Sequence, residues 1–225
     1  MSTPLLECVV LEPKTDATAS VIWMHGLGAS GHDFPPVVPE LGLPKDHGIR
    51  FLFPHAPAIP VTVNGGMVMP AWYDILAMDF DRQVDEDGVR RSAEHIQALV
   101  EREIESGIAP GRIVLAGFSQ GGAIALHLGL RYPQALAGVI LLSTYMACDG
   151  DLDQERSQAN AEVPIFQAHG TQDPMVLLGM GEAARDRMLG LGYKVEWHTY
   201  PMQHNVVQEE ITAIGAWLGQ RLPKI

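Results

Sequence analysis

A serine flanked by glycines is the residue with the clearest potential for chemistry. Residues 117–121 are Gly-Phe-Ser-Gln-Gly, directly after the apolar run Ile113–Ala116 and at the start of a segment with helical spacing. A serine on a sharp turn between a strand and a helix needs glycine two positions away on each side, because the two elements otherwise collide. We therefore predict that Ser119 is a nucleophile. The alternative is a glycine-rich turn with an incidental serine.

A nucleophilic serine needs a base within hydrogen-bonding reach, and position selects one of the nine histidines. His204 follows Pro-Met-Gln between the last predicted strand and the last predicted helix, so its loop reaches the carboxyl edge of the sheet, as Ser119 does. His127 falls on the helix after the serine, His198 falls inside a strand, and His169 precedes the expected acid. We predict that His204 is the base; the alternative is a surface loop histidine.

The base needs a carboxylate that orients it. Asp173 follows the predicted strand Val163–Gln167 and lies between the serine and the histidine along the chain, which is the order expected on this kind of sheet. Asp151 and Asp153 also lie between them, but in the preceding and longer loop. We predict that Asp173 is the acid, although an Asp-Pro pair at the start of a helix is also a common turn or cap.

The first glycine-rich loop allows two interpretations. Residues 25–31 are His-Gly-Leu-Gly-Ala-Ser-Gly and follow the predicted strand Ser20–Met24. With a nucleophilic serine nearby, the backbone N–H groups of Leu27 and Gln120 would hold the oxyanion of an acyl-transfer intermediate. The alternative is a dinucleotide-binding loop, since three of these glycines form G-x-G-x-x-G. That site needs an acidic residue after the next strand, where the sequence has Phe53-Pro-His-Ala-Pro instead.

These residues must be positioned by alternating strands and helices. Several apolar runs are uninterrupted, which is typical of parallel strands buried on both faces. The predicted strands are Leu5–Leu11, Ser20–Met24, Ile49–Phe53, Ile113–Ala116, Gly138–Leu142, Val163–Gln167 and Val195–Tyr200. The predicted helices are an amphipathic one that contains Val89–Ile104, then Gln120–Arg131, Met180–Leu191 and Val207–Arg221. The alternation predicts an α/β fold with a mostly parallel sheet.

Two connections stand out by their length. Pro54–Asp74 holds four prolines, and we expect it to be a functional loop without regular structure of its own. Ala147–Glu162 is too short to hold a separate cap domain, so we expect an open pocket.

Length and composition indicate one globular domain over residues 1–225, with 47% hydrophobic and 19% charged residues. The formal net charge of −12 argues against nucleic acid and against an anionic membrane surface. The N-terminus lacks a basic segment, and no apolar run approaches the ~18 residues of a membrane span. We therefore expect a cytoplasmic protein that is not stably inserted into membranes.

No metal or organic cofactor is expected. Cys8 and Cys148 form no CxxC pattern, and HExxH and GK[ST] signatures are absent from the sequence. The chemistry would therefore rest on side chains and backbone amides alone. The sequence leaves open whether the chain acts as a monomer or as a homodimer.

A resemblance to a known family rests on six motifs: His25-Gly-Leu-Gly, Pro54-His-Ala-Pro, Met69-Pro-Ala-Trp-Tyr-Asp-Ile, Gly117-Phe-Ser-Gln-Gly-Gly, His169-Gly-Thr-Gln-Asp-Pro and the histidine after Tyr200-Pro-Met. With these, the chain resembles the lysophospholipase-like family of carboxylesterases and acyl-protein thioesterases, which are small α/β hydrolases. It looks most similar to the bacterial carboxylesterase branch, through Val63-Asn-Gly-Gly-Met and Leu142-Ser-Thr-Tyr.

The resemblance implies an α/β-hydrolase fold without a large cap domain and a serine carboxylesterase that forms an acyl-enzyme. Acyl-protein thioesterase or lysophospholipase activity with the same triad is the alternative, and a non-catalytic binding module is a remote one. The partner would be a small-molecule ester or thioester. Residues implied to line the acyl pocket are Trp72, Met69, Met175 and Val176. Apolar residues here could also simply pack against the sheet.

Overall fold

The computed structural model describes residues 4–77 and 85–224. Within these residues, the strands are β1 (Cys8–Leu11), β2 (Ala19–Met24), β3 (Ile49–Pro54), β4 (Ala58–Val61), β5 (Met67–Pro70), β6 (Ile113–Phe118), β7 (Gly138–Leu142), β8 (Ile165–Gly170) and β9 (Val195–Tyr200). The α-helices are α1 (Glu86–Glu105), α2 (Gln120–Arg131), α3 (Leu152–Glu155), α4 (Leu178–Gly190) and α5 (Gln208–Arg221).

Seven strands form one sheet in the order β1-β3-β2-β6-β7-β8-β9. The strands run parallel except β1, which pairs with β3 in the antiparallel direction at one edge. The loops after β2, β6, β8 and β9 therefore leave the sheet at the same carboxyl edge. This is the edge at which open α/β sheets bind their ligands.

Helices cover both faces of the sheet, and alternate residues of the central strands point to opposite faces. In β2, Ile22 and Met24 belong to the core beneath α1, α2 and α4, whereas Val21 and Trp23 belong to the core beneath α5. All four are buried, which explains why these strands are apolar without interruption. None of the helices in the described ranges is long and apolar enough to cross a membrane.

The α/β-hydrolase fold predicted from the sequence is confirmed. The bounds of β7, β9 and α2 agree with the predicted ones, while β1 begins three residues later than expected and β8 is shifted to Ile165–Gly170. The expected connection at 147–162 contains the single turn α3 and a 3-10 turn, and the described residues include no cap domain.

The expectation that residues 54–74 lack regular structure is wrong. They contain a hairpin in which β4 pairs antiparallel with β5. The turn is possible because Gly65 and Gly66 adopt φ of 67° and 76°, a left-handed conformation that glycine reaches without steric cost. The Asn-Gly-Gly triplet at 64–66 is the sequence signal for such a turn.

Candidate active site

Ser119 lies on the turn between β6 and α2 with φ of 55° and ψ of −121°. A non-glycine residue rarely adopts this conformation, and such outliers concentrate at functional sites. The turn depends on its two flanking glycines. A Cβ atom at Gly117 would lie 2.2 Å from the carbonyl of Gly121, and one at Gly121 would lie 2.4 Å from the carbonyl oxygen of Met24. The steric argument drawn from the sequence therefore describes a real close approach.

Hydrogen bonds to the neighbouring strand hold this turn in place. The Ser119 N–H donates to the Leu142 carbonyl at 2.8 Å, and the Thr144 hydroxyl donates to the Ser119 carbonyl at 2.7 Å. The main chain of the serine is thus fixed on both sides, which offsets its unfavourable backbone conformation. Ser119 is 8% exposed, so it is largely buried but still lines a cavity, described below.

Asp173 and His204 form a hydrogen-bonded pair. The Nδ1 atom of His204 donates to Oδ2 of Asp173 at 2.6 Å, while Oδ1 accepts from the backbone N–H groups of Met175 and Val176 at 2.8 and 2.9 Å. Because Nδ1 carries the proton in neutral imidazole bonded this way, Nε2 is left with a free lone pair and can act as a base.

The Asp173 carboxylate is stabilised in its ionised form. Burial opposes ionisation, but the hydrogen bond from His204 and those from the Val176 and Met175 amides outweigh it, so that the pKa of Asp173 lies below its ordinary value. The side chain is fully buried, whereas that of His204 is 19% exposed. This is the arrangement in which a carboxylate fixes the orientation of a histidine that remains accessible to a reacting group.

The loops that carry this pair are tied to each other at the ends of β8 and β9. The Gln172 N–H donates to the Met202 carbonyl at 3.0 Å. Gly170 allows the close approach, because a Cβ atom there would lie 2.4 Å from the same carbonyl oxygen. Asp173 and His204, 31 positions apart along the chain, are therefore brought together by the parallel pairing of β8 with β9.

The predicted nucleophile and the predicted base open onto one cavity of about 710 Å³. Its wall includes Ser119, His204, Leu27 and Gln120. Gln120 is the first residue of α2, so its backbone N–H has no acceptor within the helix and lies at the positive end of the helix dipole. Both predicted oxyanion donors thus belong to residues on the wall that Ser119 shares.

Three of the four residues implied for the acyl pocket line this cavity, namely Met69, Met175 and Val176. Trp72 does not, and here the structure corrects the expectation. Its side chain is 2% exposed and its indole N–H donates to the His25 carbonyl at 2.8 Å. A hydrogen bond to the main chain and burial behind the loop after β2 keep this ring away from the cavity surface.

The sequence did not single out much of the cavity wall. The additional apolar lining residues are Ala29, Phe34, Val37, Val63, Ile75, Phe118 and Val206. Phe118 is the residue between Gly117 and the serine, and its ring lies 4.7 Å from the His204 ring. The elbow motif could have indicated Phe118, whereas the other residues are close only because separate loops converge at this edge.

The alternative acids and bases lie elsewhere. Asp151 pairs with Arg90 at 3.3 Å and Asp153 with Arg187 at 2.9 Å, both at the surface. Burial and the nearby arginines lower the pKa of His127 to about 3, in a helix that leads away from the cavity. His198 contacts Glu196 at 2.9 Å within β9.

His169 lies behind the acid. It is fully buried, and its Nε2 donates to the Val176 carbonyl at 2.8 Å. Its ring therefore supports the loop that holds Asp173 and does not reach the cavity surface.

The first glycine-rich loop also differs from a dinucleotide-binding loop. The loop is followed by a 3-10 helix at Pro35–Leu41, whereas a pyrophosphate would require the N-terminus of an α-helix. Gly31 instead allows contact with β3, since a Cβ atom there would lie 2.4 Å from the Phe53 carbonyl oxygen.

The sheet order, the serine on its strained turn and the aspartate–histidine pair define an α/β hydrolase with a nucleophile elbow. A model of the Phospholipase/Carboxylesterase family matches residues 6–221, and the chain belongs to this family. The protein is accordingly a serine hydrolase, which sets aside the non-catalytic binding module that the sequence left open.

Relatives and solved structures agree with this assignment. Proteins named acyl-protein thioesterase 1 are similar to this chain. The one from Neurospora crassa is 42% identical over 92% of this chain and 89% of that protein, and the one from Gibberella zeae is 39% identical over 99% of each. The structure of Arabidopsis thaliana SOBER1 has a TM-score of 0.86 at 31% identity, covering 91% of this chain and 99% of that chain. Zea mays acyl-protein thioesterase 2 gives 0.85 at 28%, covering 96% and 99%.

Proposed function

We propose that the protein hydrolyses acyl thioesters and esters through an acyl-enzyme, with Ser119 as nucleophile, His204 as base and Asp173 as the orienting acid. The observation that carries this proposal is the shared cavity. A serine in a strained elbow and a histidine hydrogen-bonded to a buried carboxylate both open onto it.

The first step forms the acyl-enzyme. His204 Nε2 takes the hydroxyl proton of Ser119 as Oγ bonds to the acyl carbon, and the carbonyl π electrons move to the oxygen. The Leu27 and Gln120 amides hold this oxyanion, a contribution that is typically worth about 10²–10³ in rate for each donor. The carbonyl re-forms as the bond to the thiol or alcohol breaks, and the leaving group takes the proton from the imidazolium.

The second step repeats this sequence with water. His204 removes a proton from a water molecule as its oxygen bonds to the acyl carbon, and the Ser119 oxygen leaves with the proton that the histidine returns. The products are the free acid and the regenerated serine. The Asp173 carboxylate remains ionised throughout, which its hydrogen bonds favour.

A thioester is the substrate class that the relatives favour. The relatives at 36–42% identity are named acyl-protein thioesterases, which supports the alternative from the sequence more than a general carboxylesterase. The apolar part of the cavity wall, with Met69, Ile75 and Val176 among its residues, suits an alkyl chain. Carboxylic esters would react through the same tetrahedral intermediate, so we propose them as a second substrate class.

The test compares S-acyl and O-acyl substrates of the same chain length, from acetyl to palmitoyl, with steady-state kinetics. Wild type should hydrolyse both, with a higher kcat/KM for the thioester series if the proposed preference holds. Ser119→Ala should lose at least about 10³-fold, because removal of the nucleophile ends covalent catalysis. Ser106→Ala, at the exposed end of α1, is the matched control and should match wild type.

Each part of the proposal has its own contrary outcome. Full turnover in Ser119→Ala would refute the serine mechanism. Ester kcat/KM values above those of thioesters at every chain length would instead support the prediction of a general carboxylesterase. A Met69→Trp variant should shift the preferred acyl length downward, since Met69 lines the cavity. An unchanged length preference would show that the chain does not occupy this wall.

A further inference from the structure

The segment 70–73 connects the two residues that supply the proposed oxyanion donors. On one side, the Gly28 N–H donates to the Pro70 carbonyl at 2.8 Å, and the Trp72 indole N–H donates to the His25 carbonyl at 2.8 Å. These two bonds hold the loop on both sides of Leu27. The segment therefore fixes where the Leu27 amide lies.

The same segment also binds the side chain of Gln120. The Trp72 backbone N–H donates to the Gln120 Oε1 at 3.0 Å, and the Gln120 Nε2 donates to the Tyr73 carbonyl at 2.7 Å. The Gln120 side chain is thus used at both ends of its amide, in a residue that is 1% exposed. The Ser92 hydroxyl of α1 donates to the Trp72 carbonyl and supports the segment from behind.

We propose that the Gln120 side chain and the Trp72 indole are positioning residues that set the separation of the Leu27 and Gln120 amides through the segment 70–73. The proposal rests on the proposed function, because it concerns how the same oxyanion site is held. Neither side chain touches the substrate. Both act through hydrogen bonds that join the loop after β2 to the first turn of α2.

The physical reason is that an oxyanion site works by preorganisation. Donors that are already placed about 2.7–3.1 Å from the developing charge need no reorganisation during the reaction, and a displacement of about 1 Å can cost about 10²-fold. The loop and the helix are brought side by side by the pairing of β2 with β6 and by the contact of Gly121 with the Met24 carbonyl, and both contacts end before Leu27. The buried bridge with four hydrogen bonds extends this constraint to the Leu27 amide.

The main test is Trp72→Phe, which keeps an aromatic ring and removes the indole N–H. We expect kcat for the thioester or ester substrate to fall about tenfold with KM within about twofold of wild type. The inhibition constant of an alkyl trifluoromethyl ketone should rise by a similar factor. Ser119 adds to the ketone carbonyl and its proton passes to His204. The resulting oxyanion accepts hydrogen bonds from the same Leu27 and Gln120 amides.

Trp217→Phe is the matched control, because it makes the same change in another buried tryptophan. Trp217 packs against Gly138 at the amino end of β7, away from the carboxyl edge that carries the site. Trp217→Phe should lower the melting temperature and leave kcat and the ketone inhibition constant unchanged. A purely structural role for Trp72 would give the Trp217→Phe pattern and would overturn the proposal. A raised KM with unchanged kcat would also overturn it, because it would place Trp72 in substrate binding.

Gln120→Glu and Gln120→Met provide a second, independent readout. A protonated glutamate can accept from Trp72 and donate to Tyr73 as glutamine does, whereas an ionised one repels the Tyr73 carbonyl oxygen. The kcat of Gln120→Glu relative to wild type should therefore fall as pH rises, and Gln120→Met should be low at every pH. Equal pH profiles would refute the bridge, and an inactive wild type would instead refute the proposed function.

Discussion

Replacing Asp173 with asparagine should reduce kcat/KM by about 10³–10⁴. The Oδ1 position is surrounded by the Met175 and Val176 N–H groups, so the asparagine oxygen must occupy it. The amide NH₂ then faces His204 Nδ1 at the present 2.6 Å contact. Since NH₂ can only donate, Nδ1 must become the acceptor, the proton moves to Nε2, and the base loses its lone pair.

The magnitude follows from the charge that Asp173 supplies. In the transition state the imidazolium and the carboxylate have charge centres about 4 Å apart, which is worth about 4 kcal/mol at an effective dielectric constant of about 20. At about 1.4 kcal/mol per decade, this corresponds to about 10³ in rate. The wrong tautomer adds to it, and the same replacement in a serine protease triad costs about 10⁴.

The assay is p-nitrophenyl butyrate hydrolysis between pH 6 and 9, with Asp153→Asn as the matched control. Asp153 also lies between the serine and the histidine along the chain, but it pairs with Arg187 at the surface, so its loss should change kcat/KM by less than twofold. A fall of less than tenfold in a folded Asp173→Asn would refute the reasoning, and so would equal losses in the two variants.

Three further variants test the packing and the electrostatics. Gly121→Ala should reduce activity at least about 100-fold and lower the melting temperature, because its Cβ atom would lie 2.4 Å from the Met24 carbonyl oxygen. By contrast, Gly219→Ala in α5 meets no atom within 4 Å and should raise stability by about 0.5–1 kcal/mol in thermal unfolding. Unchanged activity in Gly121→Ala would contradict the close approach at the elbow. Burial raises the pKa of Glu210 to about 8, so the folded state retains a proton that the unfolded chain releases, and wild-type stability should fall as pH rises from about 4.5 to 8. Glu210→Gln should flatten that slope in melting temperatures, and an unchanged slope would contradict the assignment.

The sequence by itself determined those elements whose conformation depends on residue types that are close together along the chain. The elbow is one, because glycine at 117 and 121 avoids the collisions that a Cβ atom would cause where the strand turns into the helix. The uninterrupted apolar runs are another, since a strand buried on both faces favours apolar residues at successive positions. The hairpin at 58–70 could also have been predicted from its Asn-Gly-Gly turn, although proline, present in both of its strands, is uncommon within sheets.

Only the tertiary structure decided how distant segments meet. Chain order indicates Asp173 and His204 as the acid and the base. Their 2.6 Å contact, however, depends on the pairing of β8 with β9 and on the loops at the ends of these strands. No local pattern indicates where Trp72 lies. Its burial behind the loop after β2 and its hydrogen bond to the His25 carbonyl require the hairpin to fold back onto the sheet. Local residue types fix an element's conformation, whereas contacts between separate loops depend on how the sheet orders its strands.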